Sequence, residues 1–548
     1  MSPNLRQRLH ASHSRIRNRL PSHACIQSVF LARGRFVSLS GPIDVWTTKR
    51  KVYACGYRIG EVPLPVPVSR LVNNGEANVS TPPARRDRRR MFRRLNYGAV
   101  PGYAPLCLDT NDPLTVKYGF MQRLLGDVPK PDNVLIGELA EFVLGYCQKH
   151  FPRVLVPSFE EWLAQTPYTE SRKYELREAY EGLRGGRPTA RQCSHVDSFG
   201  KSESYPSYKH LRLINSRCDA FKVWSGPMFK AIESVVYELP EFIKHVAVPD
   251  RPRVIRNLQK AGAFYYQTDF TAFERHFVPD IYNAIECVLY KHCLGDTTDA
   301  QYLCNALTGE NKMRTRTGVR ANVRARRMSG DMCTSLGNGF TNLMLAKFIA
   351  HKKGGVLDGV VEGDDGLFTS TVPLCKEDYE KLGFTIKIDT IANPCHGSFC
   401  GMIFSESGQI IRNPRRFLQN FGWTLSFINA GTQIMDQLLR AKALSAAYET
   451  PNCPIVGVIA RRALQKTRGV TPRFVDDGYH RPHDEFEVPI FNPSSDTRLL
   501  FEHMYGISIN EQLLIEDAIS RDELGLVAQL LPPLEEVADY ASRFIEAT

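Results

Sequence analysis

One short segment, VVEGDDGLF at residues 360–368, restricts the possible folds of this chain more than any other. Its two apolar pairs, Val360–Val361 and Leu367–Phe368, are typical of strands, and the glycines beside the acidic pair permit a tight turn. Asp364 and Asp365 are adjacent in that turn, where their like charges repel each other. A divalent cation bound beside them would offset this repulsion. The segment therefore predicts a β-hairpin whose tip is either a metal site or a simple Asp/Gly surface turn.

Size and charge indicate a large folded protein with a polyanionic partner. The chain has 548 residues, of which 43% are hydrophobic and 23% are charged. This composition is ordinary for a globular protein, but the length exceeds what one hydrophobic core usually organises. Lys and Arg number 70 against 58 Asp and Glu, so the formal net charge is +12. Such an excess favours binding to nucleic acid or to a membrane surface.

Cysteine spacing and hydropathy exclude other classes. The 14 cysteines form no CxxC pair, so we expect reduced thiols in an intracellular protein rather than a zinc ribbon or a disulfide framework. No apolar run reaches the ~18 residues of a membrane-spanning helix. A membrane location would therefore require a separate anchor.

The pattern of the chain changes near residue 131. Residues 1–130 are basic and rich in proline, and they are predicted to be irregular. Their arginine cluster from Arg85 to Arg94 is either a phosphate-binding arm or a solvated one. From residue 131 onward apolar residues recur at helical spacing, and Ser158 is a predicted N-cap.

A second carboxylate site follows the segment AFYYQTDF at residues 263–270. Its apolar and aromatic residues predict a buried strand, where an unpaired Asp269 would be costly. Glu274 follows five residues later. Asp269 with Asp364 and Asp365 could hold two divalent ions, which in such sites lie ~3.5–4 Å apart and serve phosphoryl transfer.

A third segment, RRMSGDMCTSLGNGFTNLM at residues 326–344, combines a Ser329-Gly330 turn with a predicted helix over 331–350. The four-residue spacing of Thr334 and Asn338 places them on one helix face. Hydroxyl and amide groups there could bind a sugar hydroxyl, which both donates and accepts. The alternative is a serine N-cap followed by two polar surface residues.

Two basic segments, residues 199–217 and 242–258, could bind a triphosphate, although such charge runs are often solvated faces. Their candidate residues are Lys201, Lys209, Arg212 and Arg217 in the first, and Lys244 and Arg256 in the second. The sequence favours the first segment, because the helical GPMFKAIE follows it, and leaves the second open.

Taken in order, these segments resemble the motifs of the RNA-dependent RNA polymerases of positive-strand RNA viruses, nearest to the tombusvirus- and nodavirus-like groups. The resemblance covers residues 195–420. The matching motifs are Asp269 with Glu274 (motif A), Ser329 to Asn338 (motif B), Gly363-Asp364-Asp365 (motif C), Gly383 with Lys387 (motif D), FCGMIF at 399–404 (motif E) and the first basic segment (motif F).

The resemblance implies an α+β fold of the right-hand polymerase type, with fingers, palm and thumb and an antiparallel palm sheet flanked by helices. It divides the chain into four parts. These are a basic N-terminal region of unknown role at 1–130, a fingers region with the basic nucleotide-access motif at 131–260, a palm with motifs A to E at 261–410, including a fingers insertion at about 290–325, and a helical thumb at 411–548.

It also implies roles for the site residues. Asp269 and Asp364 would be the main ligands of two Mg2+ or Mn2+ ions, with Asp365 secondary. Glu274 would lie near the ribose of the incoming nucleotide, where Asp is commoner in the family. The other implied roles are 2′-OH selection by Ser329, Gly330, Thr334 and Asn338, proton donation to pyrophosphate by Lys387, and neutralisation of the triphosphate by the basic residues.

The implied function is template-directed RNA synthesis from NTPs by two-metal-ion nucleotidyl transfer. The expected partners are template and nascent RNA, NTPs and other viral or host replication factors. We expect the protein in the host cytoplasm, in a membrane-associated replication complex with a separate anchor. The alternatives are a reverse transcriptase, disfavoured by the polar Glu274 and Asn338 where a bulky residue would block a 2′-OH, and a basic RNA-binding or virion protein.

Overall fold

The computed structural model describes residues 92–205, 209–475 and 487–534, together with the backbone of five strands between residues 25 and 80. Most of the arginine cluster, residues 85–91, lies outside the described residues, as does the predicted C-terminal helical segment beyond residue 534.

Strands and helices alternate through most of the described chain. The strands are β1 (Cys25–Val29), β2 (Val37–Ser40), β3 (Lys49–Ala54), β4 (Tyr57–Pro63), β5 (Asn78–Ser80), β6 (Arg93–Arg94), β7 (Leu106–Cys107), β8 (His195–Gly200), β9 (Ser204–Tyr205), β10 (Leu213–Arg217), β11 (Phe264–Phe270), β12 (Glu310–Thr315), β13 (Arg320–Arg324), β14 (Leu357–Glu362), β15 (Asp365–Ser370), β16 (Ile386–Ile391), β17 (Ile403–Phe404), β18 (Ile410–Ile411) and β19 (Trp423–Thr424). The α-helices are α1 (Pro113–Arg123), α2 (Asn133–His150), α3 (Phe159–Ala164), α4 (Glu170–Gly182), α5 (Ala190–Ser194), α6 (Asp219–Val236), α7 (Arg251–Arg256), α8 (Pro279–Ala284), α9 (Glu286–Leu294), α10 (Thr298–Thr308), α11 (Thr334–Lys352), α12 (Lys376–Lys381), α13 (Pro414–Phe421), α14 (Thr432–Glu449), α15 (Val456–Lys466), α16 (Ser495–Tyr505), α17 (Ile509–Ser520) and α18 (Leu524–Leu530).

A four-stranded antiparallel sheet of order β14-β15-β11-β16 forms the centre of the molecule. Helix α11 packs on its hairpin β14–β15, and Phe340 and Met344 of the helix share one buried core with Val361 and Phe368 of the hairpin. The predicted hairpin, strand and helix are confirmed, and so is a mixed helix-and-sheet fold with antiparallel pairing.

A five-stranded sheet of order β10-β8-β12-β13-β5 lies beside it, with β12 parallel to β8 and the other neighbours antiparallel. Its strands β12 and β13 come from the chain between motifs A and B, whereas β8 and β10 carry the first basic segment. The buried side of this sheet shares a core with helix α1, where Val116 and Phe120 are fully buried.

Helix α1 corrects the prediction that residues 1–130 are irregular. Asp112 caps the helix by accepting from the Thr115 N–H, and a proline stands in the first turn. The apolar residues Val116, Phe120 and Leu124 follow at helical spacing and are buried. The proline-rich and arginine-rich segments before residue 92 obscured this local signal.

Helices α13 to α18 pack around a separate core that includes Met435, Leu439, Ile459 and Ile515, all fully buried. The predicted Ser158 cap is confirmed, since its hydroxyl accepts from the Glu161 N–H and Glu161 bonds back to the Ser158 N–H. Among the described residues, no helix is both long enough and apolar enough to cross a membrane.

A buried histidine joins the turn after β11 to the strand β16. The Thr385 N–H donates to Nε2 of His276 at 3.0 Å, so Nδ1 must carry the ring proton and donate to the Phe273 carbonyl 3.3 Å away. Burial lowers the pKa of His276 from about 6.5 to about 3. The folded protein therefore keeps this ring neutral at moderately acidic pH.

We expect this histidine to make folding stability fall as the pH drops below 6.5. The unfolded chain binds a proton near pH 6.5 that the folded chain excludes until about pH 3, so between these values stability falls by up to ~1.4 kcal/mol per pH unit. Urea unfolding at pH 7.5 and 5.5 measures the effect. A His276→Gln variant, which lacks the titrating ring, should lose about one proton of this pH dependence, and an unchanged dependence would contradict the assignment.

Candidate active site

Three chemically active side chains lie in one row across the central sheet. Asp269 on β11 pairs directly with Lys387 on β16. On the other side of β11 the last pair is Thr268 with Gly366, so the same register brings Asp269 towards Asp365. Residues opposite each other on neighbouring strands share a face of the sheet. Carboxylates from two predicted motifs thus meet at the end of the sheet where β11 ends and β15 begins.

Asp269 differs from its prediction in one respect. The sequence predicts a carboxylate at the end of a buried strand, but the Asp269 side chain is exposed, although Thr268 and Phe270 beside it are buried. The alternation of strand residues accounts for the difference, because only one face of β11 packs on the core.

A cavity of about 1780 Å3 opens above this row and is lined by Asp269, Asp364 and Asp365. The elements that precede these strands in the chain contribute cationic side chains to its wall, and so do the C-terminal helices. The first group comprises Arg123, Lys209, Arg212 and Arg251, and the second comprises Arg412, Arg415, Arg416 and Lys442. A compact group of carboxylates therefore faces a surrounding of positive charge, which suits a ligand carrying phosphates.

Burial and mutual repulsion destabilise the ionised carboxylates. Burial, together with the charges of Asp364 and Asp269, raises the pKa of Asp365 to about 6. Burial is also the main cause that raises the pKa of Asp364, and the Glu274 and Asp269 charges add to it. A bound cation would reverse this balance, because it favours the charged carboxylates.

The donor set fits a hard divalent cation, although the side chains do not form a preformed cage. Within the described ranges, no group of three His, Cys, Asp or Glu side chains is arranged to hold a metal ion. Magnesium sites typically use only one or two carboxylates and complete their shell with water and substrate phosphates. Asp364, Asp365 and Asp269 provide such carboxylates beside a cavity that accommodates phosphates.

A buried amide contacts the main-chain carbonyls of the acidic turn. Nδ2 of Asn342, on α11, lies 3.5 Å from the carbonyl oxygen of Gly363 and 3.2 Å from those of Asp364 and Asp365. The Asn342 side chain is fully buried, and its Oδ1 has no hydrogen-bond partner among the described residues. The three carbonyls fix the orientation of the amide, since the reverse orientation would place oxygen against oxygen.

We expect Asn342→Leu to weaken Mg2+ binding at the turn about 10- to 100-fold, because unpaired buried carbonyls cost ~1–3 kcal/mol and release the turn. The measurement is the rise of the thermal unfolding temperature with Mg2+ concentration in wild type and variant. A shift of the Mg2+ midpoint would indicate that the amide positions the carboxylates. An unchanged midpoint would show that it does not.

Glu274 acts electrostatically on Asp364 and is itself already paired. Its Oε1 accepts from Nε of Arg123 at 2.8 Å, and its Oε2 lies 3.4 Å from Nη2 of the same guanidinium. Arg123 ends helix α1, which the sequence did not connect with the site. Glu274 is therefore held in place, and its charge also acts on Asp364.

The motif B residues surround the start of α11. The Gly330 N–H donates to the Asn215 carbonyl at 2.8 Å, and the Thr334 hydroxyl donates to the Asp331 carbonyl at 2.7 Å. Asn338 accepts at Oδ1 from Nε of Arg327 at 2.9 Å, which leaves its amide N–H groups as donors. In the described part of the chain neither these residues nor Ser329 contributes to the cavity wall.

The predicted phosphate-binding residues separate into two groups. Lys209 and Arg212 of the first basic segment line the cavity, and so does Arg251 of the second. Lys201 is exposed and forms an ion pair with Glu203 at 3.0 Å. Arg256 donates to the Glu406 carbonyl at 2.7 Å and is not on the cavity wall.

Arg217 and Lys244 do not have the predicted roles. The Arg217 side chain is 1% exposed, forms an ion pair with Asp331 and donates to Asn311 at 2.7 Å, so it cannot reach a triphosphate. Lys244 donates to Ser335 at 3.0 Å and to Glu362 at 3.2 Å. Both cations hold elements of the fold together through partners that lie far away in the sequence.

Comparison with known proteins gives matches over the same part of the chain. Residues 280–387 match the family model described as viral RNA dependent RNA polymerase. This range includes motifs B and C and Lys387, and it begins just after Asp269 and Glu274.

Two curated relatives bear the name RNA-directed RNA polymerase. The protein of Striped jack nervous necrosis virus is 25% identical over 206 residues, which are 35% of this chain and 21% of that protein. The protein of Greasy grouper nervous necrosis virus is 25% identical over 205 residues, with the same shares. The match thus spans about a fifth of the length of these relatives. With the family match at 280–387, these similarities show that the matched parts of the chain resemble viral RNA-dependent RNA polymerases.

Proposed function

We propose that this chain is a viral RNA-directed RNA polymerase, which joins an NTP to the 3′-hydroxyl of a growing RNA and releases pyrophosphate. The observation that carries the proposal is the row of Asp365, Asp269 and Lys387 across the antiparallel sheet, because its two carboxylates line a cavity with cationic walls. The match to the viral polymerase family over the hairpin that carries Asp364 and Asp365 supports it.

In this proposal the molecule is a right hand. The palm is the sheet β14-β15-β11-β16 with α11, the fingers include the five-stranded sheet, and the thumb is the group α13 to α18. These parts are the fingers at 131–260, the palm at 261–410 and the thumb at 411–548 that the sequence leads us to expect. Residues 92–130 would belong to the fingers side, since α1 shares a core with the five-stranded sheet.

Asp269 and Asp364, with Asp365 secondary, would hold the divalent metal ions that this family uses, and we propose two Mg2+ or Mn2+ ions. Such ions, when bound, stabilise the charge that develops on the attacking and leaving oxygens. The carboxylates themselves fix the position of the reaction at the hairpin tip, and Asn342 fixes the hairpin.

The remaining side chains would bind and orient the substrates. Lys209 and Arg212 lie on the cavity wall, where they can neutralise a triphosphate. Lys387 is 68% exposed, and among the described residues its ion pair is with Asp389 at 2.6 Å, so it can turn towards pyrophosphate and donate a proton. We propose that the enzyme binds template RNA, nascent RNA and replication factors. We also propose that it works in a membrane-associated complex of the host cytoplasm.

The test is incorporation of labelled nucleotides by the purified chain on a defined RNA template, with and without primer, in Mg2+ and then Mn2+. Parallel reactions omit the template, add EDTA or replace NTPs with dNTPs. We expect a product complementary to the template that requires NTPs and divalent metal. A product from dNTPs would indicate a reverse transcriptase, and RNA binding by folded protein without any product would favour an RNA-binding protein.

We expect Asn338→Ala to raise the relative use of dNTPs. Arg327 already donates to the Asn338 oxygen. The amide N–H groups of Asn338 are therefore the donors that could bind a ribose hydroxyl. The measurement is the ratio of kcat/KM for ATP and dATP on one template. Equal ratios in wild type and variant would exclude this role.

A further inference from the structure

The five-stranded sheet has an outward face that the proposed reaction does not use. Alternation along its strands buries Met313, Ala321 and Val323 against α1 and turns the intervening residues to solvent. The exposed set on β12, its turn and β13 is mainly cationic and comprises Lys312, Arg314, Arg316, Arg320 and Arg324. None of these residues lines the catalytic cavity.

The register places Arg314 on β12 directly opposite Arg320 on β13, a like-charge pair that weakens strand pairing. It also places two exposed carboxylates on this face, with Asp197 of β8 opposite Arg314 and Glu310 opposite Arg324, so the face keeps five cations against two anions. Lys312 lies two residues along the same strand face, with Glu310 at 4.0 Å. Within the described part of the chain, no carboxylate forms an ion pair with Arg314, Arg316, Arg320 or Arg324.

The neighbouring strand β8 adds an aromatic surface. Phe199 is 55% exposed on the same face. A row of cations in which the four arginines form no ion pair among the described residues, beside an exposed ring, is a combination that binds single-stranded nucleic acid, because cations contact phosphates and the ring stacks on a base. A membrane surface would be met by cations with apolar anchors on a flexible or helical segment, and this face is a flat, hydrogen-bonded sheet.

We propose that this face, formed by Lys312, Arg314, Arg316, Arg320, Arg324 and Phe199, is a second RNA-binding surface that holds single-stranded RNA outside the catalytic cavity. The inference rests on the proposed function in that the RNA is the polymerase's own template or product. Such a surface contacts only RNA long enough to extend beyond the cavity.

The test compares an Arg314→Gln/Arg320→Gln variant with wild type by fluorescence anisotropy, in EDTA, on unstructured RNAs of about 6 and about 30 nucleotides. The control Lys149→Gln/Lys381→Gln removes the same charge at exposed positions on α2 and α12. For the long RNA we expect about tenfold weaker binding of the test variant at low salt, and a salt slope smaller by about 1.4, or 0.7 for each lost phosphate contact. The short RNA should bind wild type and variant alike. Phe199→Ala should weaken binding of the long RNA without changing the salt slope.

Equal long-RNA affinity and slope in the test and control variants would overturn the proposal, and so would an equal loss for short RNA, which would place these arginines in the cavity. Loss of binding to anionic lipid vesicles without loss of RNA binding would overturn it too. Polymerase activity is measured separately on wild type. If wild type shows no polymerase activity but the variant still binds long RNA more weakly, the proposed function is refuted and the RNA-binding surface is supported.

Discussion

Asp364→Asn is expected to lower nucleotide addition at least about a thousandfold and to leave RNA binding intact. The amide keeps the shape of the side chain and removes a candidate metal-ligand charge. Charge stabilisation by a catalytic metal amounts to several kcal/mol, and each 1.4 kcal/mol is tenfold in rate. The cationic walls of the cavity are unchanged, so binding of RNA should persist. Single-turnover incorporation and RNA anisotropy measure the two properties.

The same substitution should not destabilise the fold. Asp364 is half-buried near other carboxylates, and these surroundings raise its pKa, so a neutral side chain relieves repulsion in the metal-free protein. Loss of activity is therefore expected together with an unchanged or higher unfolding midpoint in EDTA.

Asp358→Asn is the matched control. It lies in the same hairpin, and its carboxylate forms an exposed ion pair with Lys260 at 2.8 Å. Such a pair contributes little, so activity should stay near wild type. An active Asp364→Asn variant would refute the assignment of the turn, whereas inactivity of both variants would point to damage of the hairpin as a whole.

Arg327→Met is expected to destabilise the protein by about 3–5 kcal/mol, because it leaves the fully buried Glu286 without its counter-charge. The two side chains form an ion pair, with 1% and 0% exposure. Tyr290 also donates to Glu286 at 2.7 Å, and the Arg327 guanidinium lies 4.2 Å above the ring of Phe277.

The double variant Glu286→Leu/Arg327→Met separates the charge from the packing. Removing both charges should restore a large part of the lost stability, as is common when apolar groups replace a buried pair. Urea unfolding of the two single variants and the double variant gives the coupling energy. Additive effects of the single variants would contradict a direct pair.

The arrangement of the sheet and its principal helix was predictable because local patterns determine it. The apolar pairs around Asp364 and Asp365 and the stripe on residues 331–350 produced the observed hairpin and α11. Residues whose partners are distant were not predictable in this way. Arg217 pairs with Asp331, 114 positions away, and Lys244 with Glu362, 118 positions away. A local charge run gives no sign that such partners exist.

Two further features escaped sequence reasoning for different reasons. Asn342 acts on main-chain carbonyls, which every residue possesses, so no residue pattern indicates its role. Arg123 reaches Glu274 from a helix in a region whose composition suggested disorder. The cavity is assembled from both halves of the chain, and its acidic residues and the basic segment with Lys209 and Arg212 have a local signature, whereas its C-terminal wall does not.

The pairing of Asp269 with Lys387 makes strand length, rather than residue identity, the strictest requirement in this part of the molecule. Successive strand residues point to opposite faces, so inserting or deleting one residue between Gly383 and Ile386 would send Lys387 to the far side of β16 while every side chain remained present. His276 ties Thr385 in that interval to the preceding turn and so blocks such a slip. Related proteins should therefore tolerate substitutions in this segment far more readily than insertions or deletions.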